Sequence, residues 1–211
     1  MKYPKINTVW KRDENNKFKI IEGDVSKPEF DNIKKWLITE KIDGTNIRVT
    51  YERTSVVFDG RTDDAQIPAH LYKALQDLFP VELFESAFKT TPKRPAPGRV
   101  ILYGEGYGAK INNGGLYRDD AGFVLFDAYV DGWWLNRDNV VDIATKLNIP
   151  VVPISGIMTL DEAVNFVKTN PMSQLSNKPR IIEGIVARSH PLMLFRDGKP
   201  IMWKLKVRDY K

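Results

Sequence analysis

The stretch 36-WLITEKIDGTNIRVTYE-52 constrains the fold of this chain most. Around and after its Gly44, Ile47, Val49 and Tyr51 fall on one face of an extended strand, and Asn46, Arg48 and Thr50 on the other. The segment reads as a pair of strands joined at a glycine turn, half-buried against a core. Yet Glu40, Lys41 and Asp43 sit in its middle, where the chain is otherwise building that core. A charge in such a place needs a partner, a route to solvent or a ligand.

The same β pattern continues over residues 53–59, and residues 8–10 and 18–22 read as strands of a hairpin around the polar turn KRDENNK. In 69-AHLYKALQDLFPVELFESAF-88, Leu71, Leu75, Leu78 and Phe79 recur at helical spacing, and Pro80 divides two short helices. The stretch 90-TTPKRPAPG-98 is a loop that leads directly into a strand, so it reads as a surface excursion rather than a linker. Residues 99–105 and 122–130 are strongly β, and 137–148 helical. Thr159 with Glu162 three residues later is a capping-box signature that opens a helix over 159–168. Strands return at 180–188, 192–196 and 200–207. The order predicts an α+β chain of mostly antiparallel sheets with helices packed outside. No repeat or low-complexity segment interrupts it.

Composition narrows the chemistry. The 211 residues suffice for one substantial core, or at most two small ones. No apolar run approaches the ~20 residues that cross a bilayer, and the N-terminus has no apolar stretch of the kind found in a signal peptide. With no cysteine there is neither a disulfide nor a Cys-based zinc site, which suits a reducing cytoplasm. His70 and His190 stand alone and far apart, which disfavours a His-based metal site or a serine triad. Any metal would be a hard cation held by carboxylates and phosphates. The net charge of +5 fits a nucleic-acid partner without selecting one.

Five segments place charge where apolar packing is expected. The first is 41-KIDG-44, with its flanking floor of donors. In 99-RVILYGEGYGAKINNGG-115, Glu105 ends a strand between Gly104 and Gly106, which would let backbone approach a ligand closely. In 122-GFVLFDAYV-130, Phe126 is an ordinary core residue but Asp127 is a carboxylate inside an apolar strand. In 181-IIEGIVAR-188, alternation puts Glu183 on the face of Ile181, Ile185 and Ala187. Burying it alone would cost several kcal/mol. In 200-PIMWKLKVRDY-210, Met202, Lys204 and Lys206 share a face, and the two ammonium groups repel unless an anion lies between them. Taken singly, each segment has an ordinary explanation: a solvated hairpin end, a polar turn, a core aromatic, a structural ion pair, an edge strand guarded by lysines. Taken together they supply an amine, two or three acids, an aromatic face and paired cations.

These five segments resemble, in order and spacing from about residue 36 to 207, the motifs of the covalent nucleotidyltransferases: 41-KIDG-44, 104-GEG-106, 125-LFDAY-129, 183-EGIV-186 and 204-KLK-206. The form 40-EKIDGTN-46, with Asn46 where DNA ligases usually carry arginine, is similar to the ATP-dependent RNA ligases of the nick-sealing type, and 60-GRT-62 offers the downstream arginine of that branch as Arg61. The opening 3-YPKINTVWKRD-13 resembles the start of phage and bacterial RNA ligases. The resemblance implies a nucleotidyltransferase domain with an ATP cleft between sheets. It implies a single minimal catalytic domain over 1–211, since the chain stops just after 204-KLK-206 without an OB or C-terminal accessory domain.

It also implies roles. Lys41 would attack the α-phosphate of ATP and become a lysyl–AMP phosphoramidate, with Lys204 and Lys206 as catalytic cations. A free lysine, with a pKa near ~10.4, is protonated at neutral pH, and neighbouring cations favour the neutral amine. Mg2+ or Mn2+ would be held by Asp43, Glu105 and Glu183, largely through water. Phe126 would stack on adenine, and the backbone around Glu40 and Ile42 would read its edge. Glu105 and Arg61 would meet the ribose, with Asn46 close by and Arg48 at the nucleotide or an RNA phosphate. AMP would then pass to an RNA 5′-phosphate, and a 3′-hydroxyl would displace it, with a nicked duplex as the substrate form. Lys11, Arg12, Lys110 and Arg118 are candidate RNA-backbone contacts, and an accessory protein could replace affinity that relatives draw from extra domains. Competing readings are a ligase of DNA or mixed nicks, and an inert nucleic-acid-binding module that keeps the fold.

Overall fold

Trp36–Lys41 and Thr45–Glu52 are both extended strands, as their alternating side chains require. The computed structural model describes residues 1–16, 19–92 and 95–211. The chain divides into two compact units. The central unit, named for its place in the sequence, holds Met1–Tyr3 and Asp43–Val152; the flanking unit holds Pro4–Ile42 and Pro153–Lys211. In chain order the strands are β1 (Asn7–Thr8), β2 (Trp10–Arg12), β3 (Ile20–Val25), β4 (Trp36–Lys41), β5 (Thr45–Glu52), β6 (Ser55–Asp59), β7 (Val100–Gly108), β8 (Ala121–Val130), β9 (Trp133–Trp134), β10 (Ile154–Met158), β11 (Gly184–Ser189) and β12 (Met202–Lys206). The α-helices are α1 (Glu29–Asn32), α2 (Ala69–Leu78), α3 (Val81–Ala87), α4 (Arg137–Lys146) and α5 (Leu160–Lys168).

The central unit is built on an antiparallel sheet in the order β6-β5-β7-β8-β9. Ile47, Val49 and Tyr51 enter its core with Leu71 and Leu75 of α2, Phe84 of α3 and Val140 and Ile143 of α4. Burying a leucine of this kind contributes roughly 1.5–3 kcal/mol, which outweighs any local preference of so short a helix. Pro68 and Pro80 immediately precede α2 and α3, where the fixed φ of proline suits a helix entry. Pro80 therefore divides the two helices, as the spacing predicts.

In the flanking unit the sheet order is β1-β12-β11-β4-β10. β1 joins β12 in parallel, while the other pairs are antiparallel. Trp36, Ile38, Ile185, Ala187, Trp203 and Leu205 face a core closed by Ala163, Val164 and Val167 of α5. The capping box is formed: Glu162 N–H donates to Thr159 Oγ1 at 3.3 Å, and Thr159 N–H donates to Glu162 Oε2 at 2.8 Å.

Several expectations move. The N-terminal hairpin is β2 with β3, so it starts later than residue 8, which belongs to β1. Residues 17 and 18, in the expected turn and at the start of the expected strand 18–22, lie outside the described residues, as do 93 and 94 of the expected loop. Residues 192–196 do not form a strand. Phe195 N–H donates to the Lys199 carbonyl at 2.8 Å and Gly198 N–H to the Phe195 carbonyl at 2.9 Å, closing a tight turn. Pro191 and Pro200 have no N–H to give a ladder there. The sequence reading did not find β10, whose ISGIM is broken by Gly156 at φ 137°. Among the described residues no helix is long and apolar enough to cross a membrane.

Candidate active site

β4, β11 and β12 lie side by side, and their register sets the site. Gly184 opposes Lys41 on one side and Lys206 on the other. A Cβ at Gly184 would fall 2.2 Å from the Leu205 carbonyl oxygen, so only glycine allows this approach. The residue before it, Glu183, sits at a bend rather than in the strand. The bend takes Glu183 off the face of Ile185 and Ala187, contrary to simple alternation. Its carboxylate instead accepts from Lys41 Nζ at 2.7 Å through Oε2 and from Lys206 Nζ at 2.5 Å through Oε1. The three side chains are 22%, 17% and 16% exposed for Lys41, Lys206 and Glu183. Burial alone would raise the Glu183 carboxyl, but the two ammonium groups outweigh it and hold it below the usual glutamate range.

Lys204 projects from the same face of β12, two residues before Lys206, opposite the core residues Trp203 and Leu205. The anion anticipated beside Lys206 is Glu183, which reaches Lys41 as well because the residue after it, Gly184 of β11, lies between Lys41 of β4 and Lys206 of β12.

Glu40 points to the other face of β4 and is 3% exposed. Ser173 Oγ donates to its Oε1 at 2.6 Å, and Gln174 N–H to its Oε2 at 3.1 Å. Burial raises its carboxyl above the ordinary value despite these donors. Its own N–H donates to the Pro153 carbonyl at 3.0 Å, so that group is not open to a purine edge. Ile42 is buried.

The central unit carries the remaining expected residues. Asn46 and Glu105 are cross-strand partners on β5 and β7, and Arg48 opposes Tyr103. Their face is the polar one, because Ile47, Val49 and Leu102 face the core. Gly104 and Gly106 serve that core side. A Cβ at Gly104 would meet the Phe123 ring at 2.1 Å, and one at Gly106 the Leu71 side chain at 2.6 Å. Packing, not approach to a ligand, requires glycine there. Asn46 Oδ1 is buried with no hydrogen-bond partner among the described residues. Arg48 is 4% exposed and committed to carboxylates, Asp63 at 2.6 Å and Asp59 at 3.4 Å. Arg61 lies exposed in a bend after Gly60.

The register of β7 against β8 shifts between Tyr103 and Gly104, leaving Phe126 as the extra residue of a bulge. A bulge re-aims a side chain. Phe126 leaves the core series of Phe123, Leu125 and Ala128 and meets the Tyr3 ring edge-on, centroids 4.9 Å apart. Asp127, 1% exposed, accepts from Tyr3 Oη at 3.0 Å, which answers how an apolar strand houses a carboxylate.

The sequence reading missed a set of groups that hold the turn after Lys41. Asp43 N–H donates to Tyr117 Oη at 3.3 Å, Asn113 Nδ2 donates to Asp43 Oδ2 at 2.8 Å, and Asn112 Nδ2 donates to the Gly44 carbonyl. The run INNGG stood in the quoted segment, but nothing local linked it to Asp43.

Among the described residues no three His, Cys, Asp or Glu side chains group as a metal cage. Asp43 and Glu105 belong to the central unit and Glu183 to the flanking unit; a hard cation such as Mg2+ commonly takes most of its ligands from phosphate and water. Of the four expected RNA contacts, Lys11 pairs with Asp24 at 2.8 Å, Arg12 with Asp209 at 3.1 Å and Arg118 with Asp120 at 2.6 Å. Lys110 is exposed at φ 63°.

Residues 34–205 match the family model described as RNA ligase. Among solved structures, the chain is similar to an apo variant of a Naegleria gruberi RNA ligase, with TM-score 0.68 and 18% identity over 100% of this chain and 56% of that one. It is also similar to a variant of that ligase with ATP and Mn, with TM-score 0.64 and 20% identity over 98% of this chain and 62% of that one. The same ligase with PPi gives TM-score 0.64 and 21% identity over 98% and 62%. The chain therefore spans about 56–62% of the length of these neighbours. A comparison with curated proteins found no match.

Proposed function

Because this chain belongs to the RNA ligase family, we propose that it is an ATP-dependent RNA ligase whose nucleophile is Lys41. The observation that carries the reading is the shared carboxylate: Glu183 gathers Lys41 and Lys206 at 2.7 Å and 2.5 Å on the face of one sheet. Two cations and one acid, largely out of water, suit an α-phosphate better than any role in packing. A buried ion cluster of this kind is a weak source of stability.

In the proposed first step the Lys41 amine, having lost its proton, forms a bond to the α-phosphorus of ATP. The bond to the bridging oxygen breaks and pyrophosphate leaves, giving lysyl–AMP. Lys206 and Lys204 stabilise charge on the phosphate. Glu183 orients both Lys41 and Lys206, and must yield part of its hold on Lys41 when the amine reacts. Asp43, Glu105 and Glu183 are the acids that would hold Mg2+ or Mn2+, whose contribution is to neutralise the triphosphate. Phe126 is assigned to the adenine and Glu105, Arg61 and Asn46 to the ribose, on the motif resemblance. In the later steps AMP passes to an RNA 5′-phosphate, and a 3′-hydroxyl attacks that phosphate with release of AMP. A nicked duplex in the cytoplasm is the proposed setting. Lys110 remains a candidate RNA contact, whereas Lys11, Arg12 and Arg118 would have to leave their carboxylates to serve.

Incubation with ATP and either cation, followed by intact-mass measurement, tests the first step. A gain of one AMP that is lost in Lys41→Ala supports the reading, and no adduct with either cation refutes it.

A further inference from the structure

On β12, Lys206, Lys204 and Met202 share the face opposite Trp203 and Leu205. At about 3.3 Å per residue, Met202 lies about 13 Å along that face from Lys206. There Met202 lines a cavity of about 620 Å3 that belongs wholly to the flanking unit. The parallel pairing of β1 with β12 sets Asn7 beside Trp203, which brings the preceding Lys5 to the rim.

The lining is cationic. Lys5, Lys27, Arg196 and Lys199 face Glu29 and Asp197. Lys199 is cancelled by its ion pair with Asp197. That leaves Lys5, Lys27 and Arg196 against one carboxylate, and among the described residues Lys5 and Arg196 form no ion pair. Lys27 stands over the Phe195 ring, 4.2 Å from its centroid. The ring face therefore holds an ammonium rather than offering itself to a base, and the cavity favours phosphate over nucleobase contact.

We propose that this cavity binds the phosphodiester backbone of the RNA strand whose terminus is processed at Lys41. The proposal rests on the ligase reading. A stacked strand advances about 3.4 Å per phosphate, so the contact falls about four nucleotides from the terminus. Lys204 occupies the interval on the same strand face. The assignment replaces Lys11, Arg12 and Arg118, whose charges are spent on carboxylates, with cations that are not.

The test is RNA affinity against salt, using a fluorescent, 5′-phosphorylated RNA of about twelve nucleotides. The double variant Lys5→Glu with Arg196→Glu should bind about tenfold or more weakly. Its slope of log affinity against log salt should flatten by about one unit or more, since each lost phosphate contact removes about 0.7. Lys5→Arg with Arg196→Lys should bind as the unaltered protein does, and AMP addition at Lys41 should be unchanged in both. Unchanged affinity and slope in the charge-reversed variant overturn the proposal, as does a parallel loss of AMP addition, which would mark general damage. If the unaltered protein forms no AMP adduct, the ligase reading fails, while the affinity comparison still decides whether this cavity holds RNA.

Discussion

Lys41 and Lys206 are joined through one carboxylate: Glu183 accepts from the first at 2.7 Å and from the second at 2.5 Å. The residue before Lys41 makes the opposite use of the strand, sending Glu40 into a grip on Ser173 and Gln174. One strand thus presents the Lys41 amine on one face and a structural anchor on the other.

Replacing Glu183 by Gln keeps its shape but removes the charge that holds both lysines. AMP addition should fall by one to two orders of magnitude. Chemical denaturation should show a loss of about 1–3 kcal/mol, the cost of hydrogen bonds to charged groups. AMP addition at the rate of the unaltered protein would mean that Glu183 does not orient Lys41.

Glu40 should matter through structure. Glu40→Ala leaves the donors of Ser173 and Gln174 unmet and should cost about 1–3 kcal/mol. Glu40→Gln retains an acceptor and should cost less. Stability of Glu40→Ala equal to that of the unaltered protein would show that the carboxylate grip contributes nothing.

The two glutamates should give stability opposite slopes with pH. Glu183 is held below the ordinary value of 4.5, so its contribution is present above that value and is lost as pH falls through the folded one. Glu40 is raised above 4.5 by burial, so the folded state retains a proton that the unfolded state gives up. Its contribution is full below 4.5 and declines as pH rises through the raised value. Denaturation across roughly pH 3 to 7 should therefore lose a rising component in Glu183→Gln and a falling one in Glu40→Gln. The same sign of change in both variants would contradict these assignments.

The turn after Lys41 offers a subtler test. Asn113→Ala frees the Asp43 carboxylate, and Tyr117→Phe removes the acceptor of the Asp43 N–H. Each should cost about 1 kcal/mol or less in stability but slow AMP addition several-fold, by loosening a carboxylate assigned to the cation. Unaltered rates at saturating ATP and cation would remove Asp43 from that role.

Phe126→Leu preserves apolar volume but not a flat face. The KM for ATP should rise about tenfold with little change in melting temperature, because the bulge at Phe126 carries it out of the main core series. A collapse of stability without a KM change would assign Phe126 to packing against Tyr3 alone.

Local pattern made much of this protein legible. Alternation placed Ile47, Val49 and Tyr51 on one face and Asn46, Arg48 and Thr50 on the other; Thr159 and Glu162 announced α5; Pro80 divided α2 from α3. These are properties of a few consecutive residues, set by strand period, proline geometry and backbone donors. The motifs at Lys41, Glu183 and Lys206 were readable as types of residue in order. Their partnership was not, since it depends on β4 and β12 flanking β11 and on a bend that turns Glu183 off its expected face. The carboxylates around Arg48, the bulge at Phe126 and the hold of Asn112, Asn113 and Tyr117 on the turn were equally hidden. Sequence alone fixes which backbone period each segment favours and which charges demand a partner. Only the folded chain decides who that partner is, because strand register is settled by long-range pairing and side-chain packing.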